Sequence, residues 1–244
     1  MTHMALPRLE PAGIDSWMVR LFDTIEENNL LWLASLTHDC EVAFGEALVD
    51  LVPSYTTLLV TFDPMRISAW HAREKLIQVL TNLVPDDAGG EGEQHEIATW
   101  YDPSVGPDLE RVASLSGMSV DDVIKTHSFQ EYRVFALGFS PGFAFMGLLD
   151  DSLNCPRMDT PRQKVPAGSV AIAGQQTAAY PAVTPGGWNL IGRTSARLFD
   201  RNREGFSLLK VGDRVRFVSV DRQTFESEGG DVTPAEPARK EKTS

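Results

Sequence analysis

Cysteine is scarce in this 244-residue sequence: Cys40 and Cys155 are the two present, far apart and without a Cys-x-x-Cys spacing. That excludes a disulfide framework and a zinc ribbon, and leaves two reduced, structural thiols. Long apolar runs are also lacking. Stretches such as 30–36 and 58–60 fall far short of the roughly 18 to 20 residues that span a bilayer. The opening MTHMALPRLE lacks the basic start and apolar core of a secretory signal, so a cytoplasmic protein with no membrane partner is expected. Cationic residues are in short supply, with 22 Lys and Arg against 34 Asp and Glu and a net charge of −12, the wrong sign for a nucleic-acid binder. Several catalytic signatures are missing as well. Without GxxxxGK[ST], HExxH, GxSxG or a strand-following GxGxxG, there is no Walker A loop, zinc hydrolase, hydrolase elbow or dinucleotide fingerprint to build on.

What the chain does have is concentrated between Gly138 and Asp200. Glycine or proline recurs there every few residues between short apolar runs that hold Phe139, Phe143, Phe145, Val170, Ile172, Tyr180, Trp188, Leu190 and Ile191. A disordered linker would lack these large apolar side chains, so the region is folded. Tight turns joining strands of four to six residues predict a small β barrel or sandwich whose loops build a site.

The preceding segment reads differently. Alternation over 15–22 predicts a strand, and Leu33, Leu36, Cys40, Phe44 and Ala47 fall on one face of a helix. Residues 47–52 and 55–62 read as a hairpin turning at Pro53-Ser54, and Ala72, Leu76, Val79 and Leu83 resume helical spacing up to Pro85. The acidic, Gly-rich segment 86–94 is expected to be a mobile loop. A strand over 95–101 follows. Pro107 and Gly117 bracket one helix, and Ser119 with Asp122 caps another that ends at His127. The fold class is therefore α+β. An N-terminal α/β sandwich domain is expected over 1–128, a barrel over 129–225, and a disordered tail over 226–244, where no aromatic follows Phe225. Charge divides unevenly across these parts: net −14 up to Gln130, +4 over 131–225 and −2 beyond. A mildly cationic barrel suits a small anionic substrate or a nucleotide phosphate, or simply solvates a β surface.

Within this frame the candidate residues carry paired readings. His127 can move protons or cap its helix dipole. Arg193 can clamp a carboxylate or phosphate, or pair with Asp200. Gln176 and Thr177 can orient a ligand carbonyl or close turns. Tyr180 and Trp188 are core aromatics or ligand contacts. The Gly186-Gly187 pair offers backbone donors to an anion or simply makes a turn.

The motifs LGFSPGFAFMGLLD (137–150), PRQKVPAGSVAIAGQQTAAYP (161–181), PGGWNLIGRTSARLFD (185–200) and GDRVRF (212–217) resemble the family of 5-oxoprolinase B subunits, also known as KipI or allophanate hydrolase subunit 1. Segments 48–64 and 101–139 are similar to the rest of it, so the resemblance covers about residues 12–220. It implies a small α+β domain followed by a cyclophilin-like barrel. It also implies work with a C subunit of related barrel fold and a separate A subunit, opening the lactam of 5-oxoproline to glutamate with ATP, and its Mg, as cosubstrate. Pro141, Gly142 and Phe143 of the first motif then join the binding residues, with Arg193 and His127 in the catalytic roles. No metal ligands are implied on this chain. Two departures stand out: Ala178-Ala179 follows Thr177 where the family commonly has Gly-Ile, and GFAFMG (142–147) replaces GFPYLG. The family also includes an inhibitor that docks to a sensor histidine kinase, and its older name suggests allophanate or urea metabolism. These are the alternative functions.

Overall fold

The computed structural model describes residues 7–85 and 92–237. They divide into two compact units, 1–91 and 92–244, each described by itself.

The first unit contains β1 (Arg8–Pro11), β2 (Ser16–Arg20), α1 (Asn29–Phe44), β3 (Leu48–Ser54), β4 (Thr57–Phe62) and α2 (Ala69–Asn82). Its antiparallel sheet runs β1-β2-β4-β3. Strict alternation along β4 buries Leu58, Val60 and Phe62, and these meet Leu33, Leu36, Cys40 and Phe44 of α1 and Ala72 and Leu76 of α2 in one core. Burial pushes the Cys40 thiol up to about 12, so it is inert. The hairpin turns one step later than its proline suggests: β3 continues through Ser54, which faces Thr57 across the two-residue turn Tyr55-Thr56. Pro53 is tolerated because β3 is an edge strand, where an absent N–H interrupts no ladder. Strand β1 has no apolar alternation and no sequence signal.

The second unit is built from β5 (Gln94–Trp100), α3 (Leu109–Ser116), α4 (Val120–Phe129), β6 (Glu131–Leu137), β7 (Ala144–Gly147), β8 (Arg162–Val165), β9 (Ser169–Ala173), β10 (Gln176–Ala179), β11 (Thr184–Gly186), β12 (Asn189–Thr194), β13 (Arg214–Val220) and α5 (Arg222–Ser227). Seven strands close into a barrel in the order β10-β7-β6-β13-β5-β12-β9, with β8 and β11 forming a separate ribbon. Alternate residues of the same strand serve different cores. On β9, Val170 and Ile172 join Ile97, Tyr132, Val134, Met146, Val215 and Phe217, whereas Ala171 and Ala173 join Phe143, Tyr180, Trp188 and Leu190. A strand covered on both faces reads as an unbroken apolar run, as SVAIA does.

The domain boundary expected at residue 128 is corrected to 91/92. β5 pairs in parallel with β13 from Gln94↔Arg214 to Trp100↔Val220 and flanks β12 on its other side, so it is integral to the barrel. α3 and α4 pack Leu109, Val112 and Val123 into the barrel core. No local pattern announces a pairing across 120 residues. The redrawn unit, 92–244, carries 20 acidic and 17 basic residues, so the barrel is not the cationic half. The tail is corrected too: 226–237 is ordered against the barrel, with Phe225 and Ala235 buried. In the expected mobile loop, residues 86–91 lie outside the described residues, as do 238–244 of the tail; Glu93 is held by its N–H to Asp213 Oδ1 at 3.0 Å.

Candidate functional site

The structure distributes the candidate residues over three places. The first is an aromatic cluster on the outer face of β9 and β10. The loop 138–143 between β6 and β7 folds on itself through Gly138 N–H to Phe143 O and Phe143 N–H to Ser140 O, which delivers Phe143 to the centre. Its ring lies 4.8 Å from Phe145, 5.2 Å from both Phe139 and Tyr180, and 5.9 Å from Trp188. Such edge-on geometry sets the positive rim of one ring against the negative face of the next. Gly142 has φ +80°, and a Cβ there would stand 2.8 Å from Cβ of Phe199. Gly186 is required for a different reason: a Cβ there would meet the Tyr180 hydroxyl at 2.3 Å. Burial pushes the Tyr180 phenol up to about 12. The Arg157 guanidinium sits 5.7 Å above the Trp188 ring. Pro141 and Phe139 are exposed at the rim, and Gly187 O accepts from Met158 N–H at 2.7 Å. Gln176 opens β10, half-buried, one residue before Thr177.

The second place is the barrel interior. His127, in the last turn of α4, is fully buried. Its Nδ1 lies 2.7 Å from Tyr101 Oη and its Nε2 2.8 Å from Thr177 Oγ1. Thr177 has one hydroxyl proton and donates it to Ala171 O at 3.2 Å. The tautomer follows: His127 Nε2–H donates to Thr177, and Nδ1 accepts from the Tyr101 hydroxyl. The rings of Phe217 and Tyr132 lie 4.8 and 5.4 Å away, and Tyr132 Oη donates to His127 O at 2.9 Å. Burial lowers the imidazole pKa to about 3, so it is neutral and both nitrogens are engaged. The expectation of a charged dipole cap at His127 is therefore corrected: the imidazole is neutral and links α4 to β10 and Tyr101 through two hydroxyl hydrogen bonds. Tyr101 carries no spacing or motif that could have marked it.

The third place is the C-terminal end of β12. Arg193 is 1% exposed. It does not pair with Asp200, which lies 3.1 Å from Arg197 Nη1. Instead its Nη1 donates to Asp231 O and Thr233 O at 2.7 and 2.6 Å, beneath a segment whose composition predicts disorder. Nearby, Arg162 and Asp108 form a buried ion pair at 2.8 Å, and Asp108 Oδ2 also accepts from Leu190 N–H at 2.7 Å. No sequence pattern marks this pair, since 54 residues separate its members. A groove of about 770 Å³ lies elsewhere on this unit, lined by Lys125, Thr126, Ser128, Phe129, Gln130 and Asp150. None of these was a candidate, and the groove shares no residue with the three places above.

A closed seven-stranded barrel preceded by a four-stranded α/β unit defines the class. The family described as carboxyltransferase domain, subdomain C and D, matches residues 7–209, and the chain belongs to it. Within that class its relatives are 5-oxoprolinase B subunits, and it is a member of that family. The B subunit of Bacillus subtilis 5-oxoprolinase is 34% identical over 228 residues, 89% of this chain and 95% of the relative. Its counterpart in Escherichia coli O157:H7 is 52% identical over 123 residues, 50% of this chain and 56% of the relative. Among solved structures, TTHA0988 is 37% identical with a TM-score of 0.74 over 91% of this chain. This chain spans only 41% of TTHA0988. Among the described residues, no helix is long and apolar enough to cross a membrane.

Proposed function

We propose that this chain is the B component of an ATP-dependent 5-oxoprolinase, contributing one wall of a site that a homologue of the C component completes, with the A component as the third member. The observation that carries this reading is the match to a 5-oxoprolinase B subunit along 95% of that relative's length. Two features support a shared site. More than half of TTHA0988 lies beyond the part this chain matches. In addition, His127 spends both ring nitrogens on Tyr101 and Thr177, so in this reading the base for the reaction comes from the partner.

A lactam is resonance-stabilised, with a poorly electrophilic carbon and a poor leaving nitrogen. Opening it calls for N–H or cationic donors at the carbonyl oxygen and a holder for the substrate carboxylate. In this reading Phe143, Tyr180, Trp188 and the exposed Pro141 rim shape an apolar wall, Gln176 orients the substrate, and Arg193 is the anion holder. His127 with Thr177 acts as a positioning pair that fixes β10. For ATP and its Mg, expected as cosubstrate, the described residues offer neither a Walker loop nor a group of three carboxylate, imidazole or thiol donors. No step is assigned to it on this chain.

The test is reconstitution with homologues of the A and C components. ATP-dependent release of glutamate from 5-oxoproline, lost when this chain is omitted, is expected. An assembled three-component complex that leaves 5-oxoproline intact overturns the reading. Stoichiometric capture of a sensor histidine kinase without turnover would favour the docking alternative instead.

A further inference from the structure

Arg193 poses a problem that the barrel alone does not solve. Its stem crosses Gly168, where a Cβ would stand 3.3 Å from Arg193 Cγ, and its guanidinium is buried. Nη1 has two carbonyl acceptors, but Nε and Nη2 have no hydrogen-bond partner among the described residues. Those two nitrogens form one edge of the guanidinium, the fork whose parallel N–H bonds match the two oxygens of a carboxylate or phosphate. Charge is unbalanced as well. Arg162, also buried, has Asp108 against it. The carboxylate nearest Arg193 is that of Asp231, 4.0 Å from Nη1 and 68% exposed. A buried cation with a bare fork is costly unless an anion completes it.

What closes over the guanidinium at Nη1 is the C-terminal segment Asp231–Glu236, and it is held mostly through its main chain. Besides the two carbonyls on Arg193 Nη1, Glu236 O accepts from Arg162 Nε at 2.9 Å and Ala235 N–H donates to Ser104 O at 2.8 Å. Its side chains are exposed except at two points: Val232 packs against Trp100 and Phe225, and Ala235 enters the cluster of Phe143, Tyr180 and Trp188. Four hydrogen bonds and two small apolar contacts hold a strap that exposes most of its own surface. Segments with so few buried contacts open at far lower cost than a barrel strand.

We propose that the Nε–Nη2 fork of Arg193 is a binding site for a two-oxygen anion, a carboxylate or a phosphate, and that the strap Asp231–Glu236 is the gate over it. The anion and the closed strap compete: neutral carbonyls satisfy one nitrogen when the strap is down, and the anion satisfies the fork when it lifts. Lifting also uncovers the side of the aromatic cluster that Ala235 fills. The inference stands on this geometry whether or not the chain acts on 5-oxoproline.

The test uses the full chain, with inorganic phosphate and acetate as separate probes. Hydrogen exchange of the amides at 232–236 is followed during titration, and binding is measured by calorimetry. Phosphate, acetate or both are expected to speed exchange of these amides at least about threefold while leaving β9 and β12 protected, and the probe that does so names the oxyanion class. Ala235→Gln, a neutral side chain too large for the cluster, is expected to loosen the strap and tighten anion binding by about tenfold, because the closed state no longer holds back the competent one. Arg193→Lys keeps the charge but loses the fork, and both effects should vanish. If neither probe changes strap exchange in the wild-type chain, or if Arg193→Lys in a folded protein responds as the wild type does, the proposal is wrong. Should Arg193→Lys fail to fold, the Ala235→Gln variant still decides: unchanged affinity for both probes overturns the gate.

Discussion

The buried imidazole of His127 makes a quantitative claim about acid stability. Its pKa is about 3 in the folded barrel, lowered by burial, against an ordinary value of 6.5. Between these values the unfolded chain binds a proton that the folded chain refuses, so stability rises with pH across that window. The contribution is whole above about pH 6.5 and is lost progressively as pH falls toward 3. Each pH unit corresponds to about 1.4 kcal/mol, so the loss is about 2 kcal/mol by pH 5 and of order 4 to 5 kcal/mol in full. Carboxylates throughout the chain also titrate, so the informative quantity is a difference. In His127→Gln the amide can still reach between Tyr101 and Thr177 but cannot take up the proton. The assay is native-state hydrogen exchange of barrel amides such as Val134 and Phe217, which reads the second unit separately from the first. The wild-type value minus the variant value should fall by roughly 2 to 3 kcal/mol in all from pH 6 to pH 4. A flat difference would mean that His127 is protonated or hydrated inside the barrel, and the tautomer assignment would fall with it.

Two further substitutions test the packing that surrounds the candidate site. Asp108→Ala strands the Arg162 guanidinium and the Leu190 N–H in a buried place, and should cost about 3 to 5 kcal/mol of barrel stability in urea unfolding; a loss below about 1 kcal/mol would show the ion pair to be solvated. Gly186→Ala forces a methyl against the Tyr180 hydroxyl and should destabilise by about 1 to 3 kcal/mol. Tyr180→Phe removes the nearest clashing atom, so the double variant should recover part of that loss. Strict additivity in the double-mutant cycle would refute the contact.

Much of the architecture was legible because it is local. Leu58, Val60 and Phe62 alternate with period two, Leu33, Leu36, Cys40 and Phe44 step with period three to four, and Ser119 caps α4 through Asp122 N–H at 3.1 Å. The α+β class and the barrel in the Gly/Pro-dense stretch follow from such patterns together with family resemblance. What misled was also local. Pro53 looked like a turn because its sequence does not say that β3 is an edge. The polar tail looked disordered because its apolar anchors, Phe225, Val232 and Ala235, are too few and too widely spaced to register in composition.

The remaining assignments belong to contacts between residues distant in the chain. β5 became a barrel strand because β13, 120 residues later, lies parallel beside it. The two nitrogens of His127 are engaged because Tyr101 and Thr177, 26 and 50 residues away, meet them. Arg193 was marked by its residue type as an anion holder, but only the strap's carbonyls reveal which edge of the guanidinium is spoken for and which is not. A sequence determines side-chain chemistry and the short-range periodicities that choose helix or strand. Desolvation and hydrogen-bond partnership decide how that chemistry is used, and both are set only when remote segments close around a residue and take it out of water.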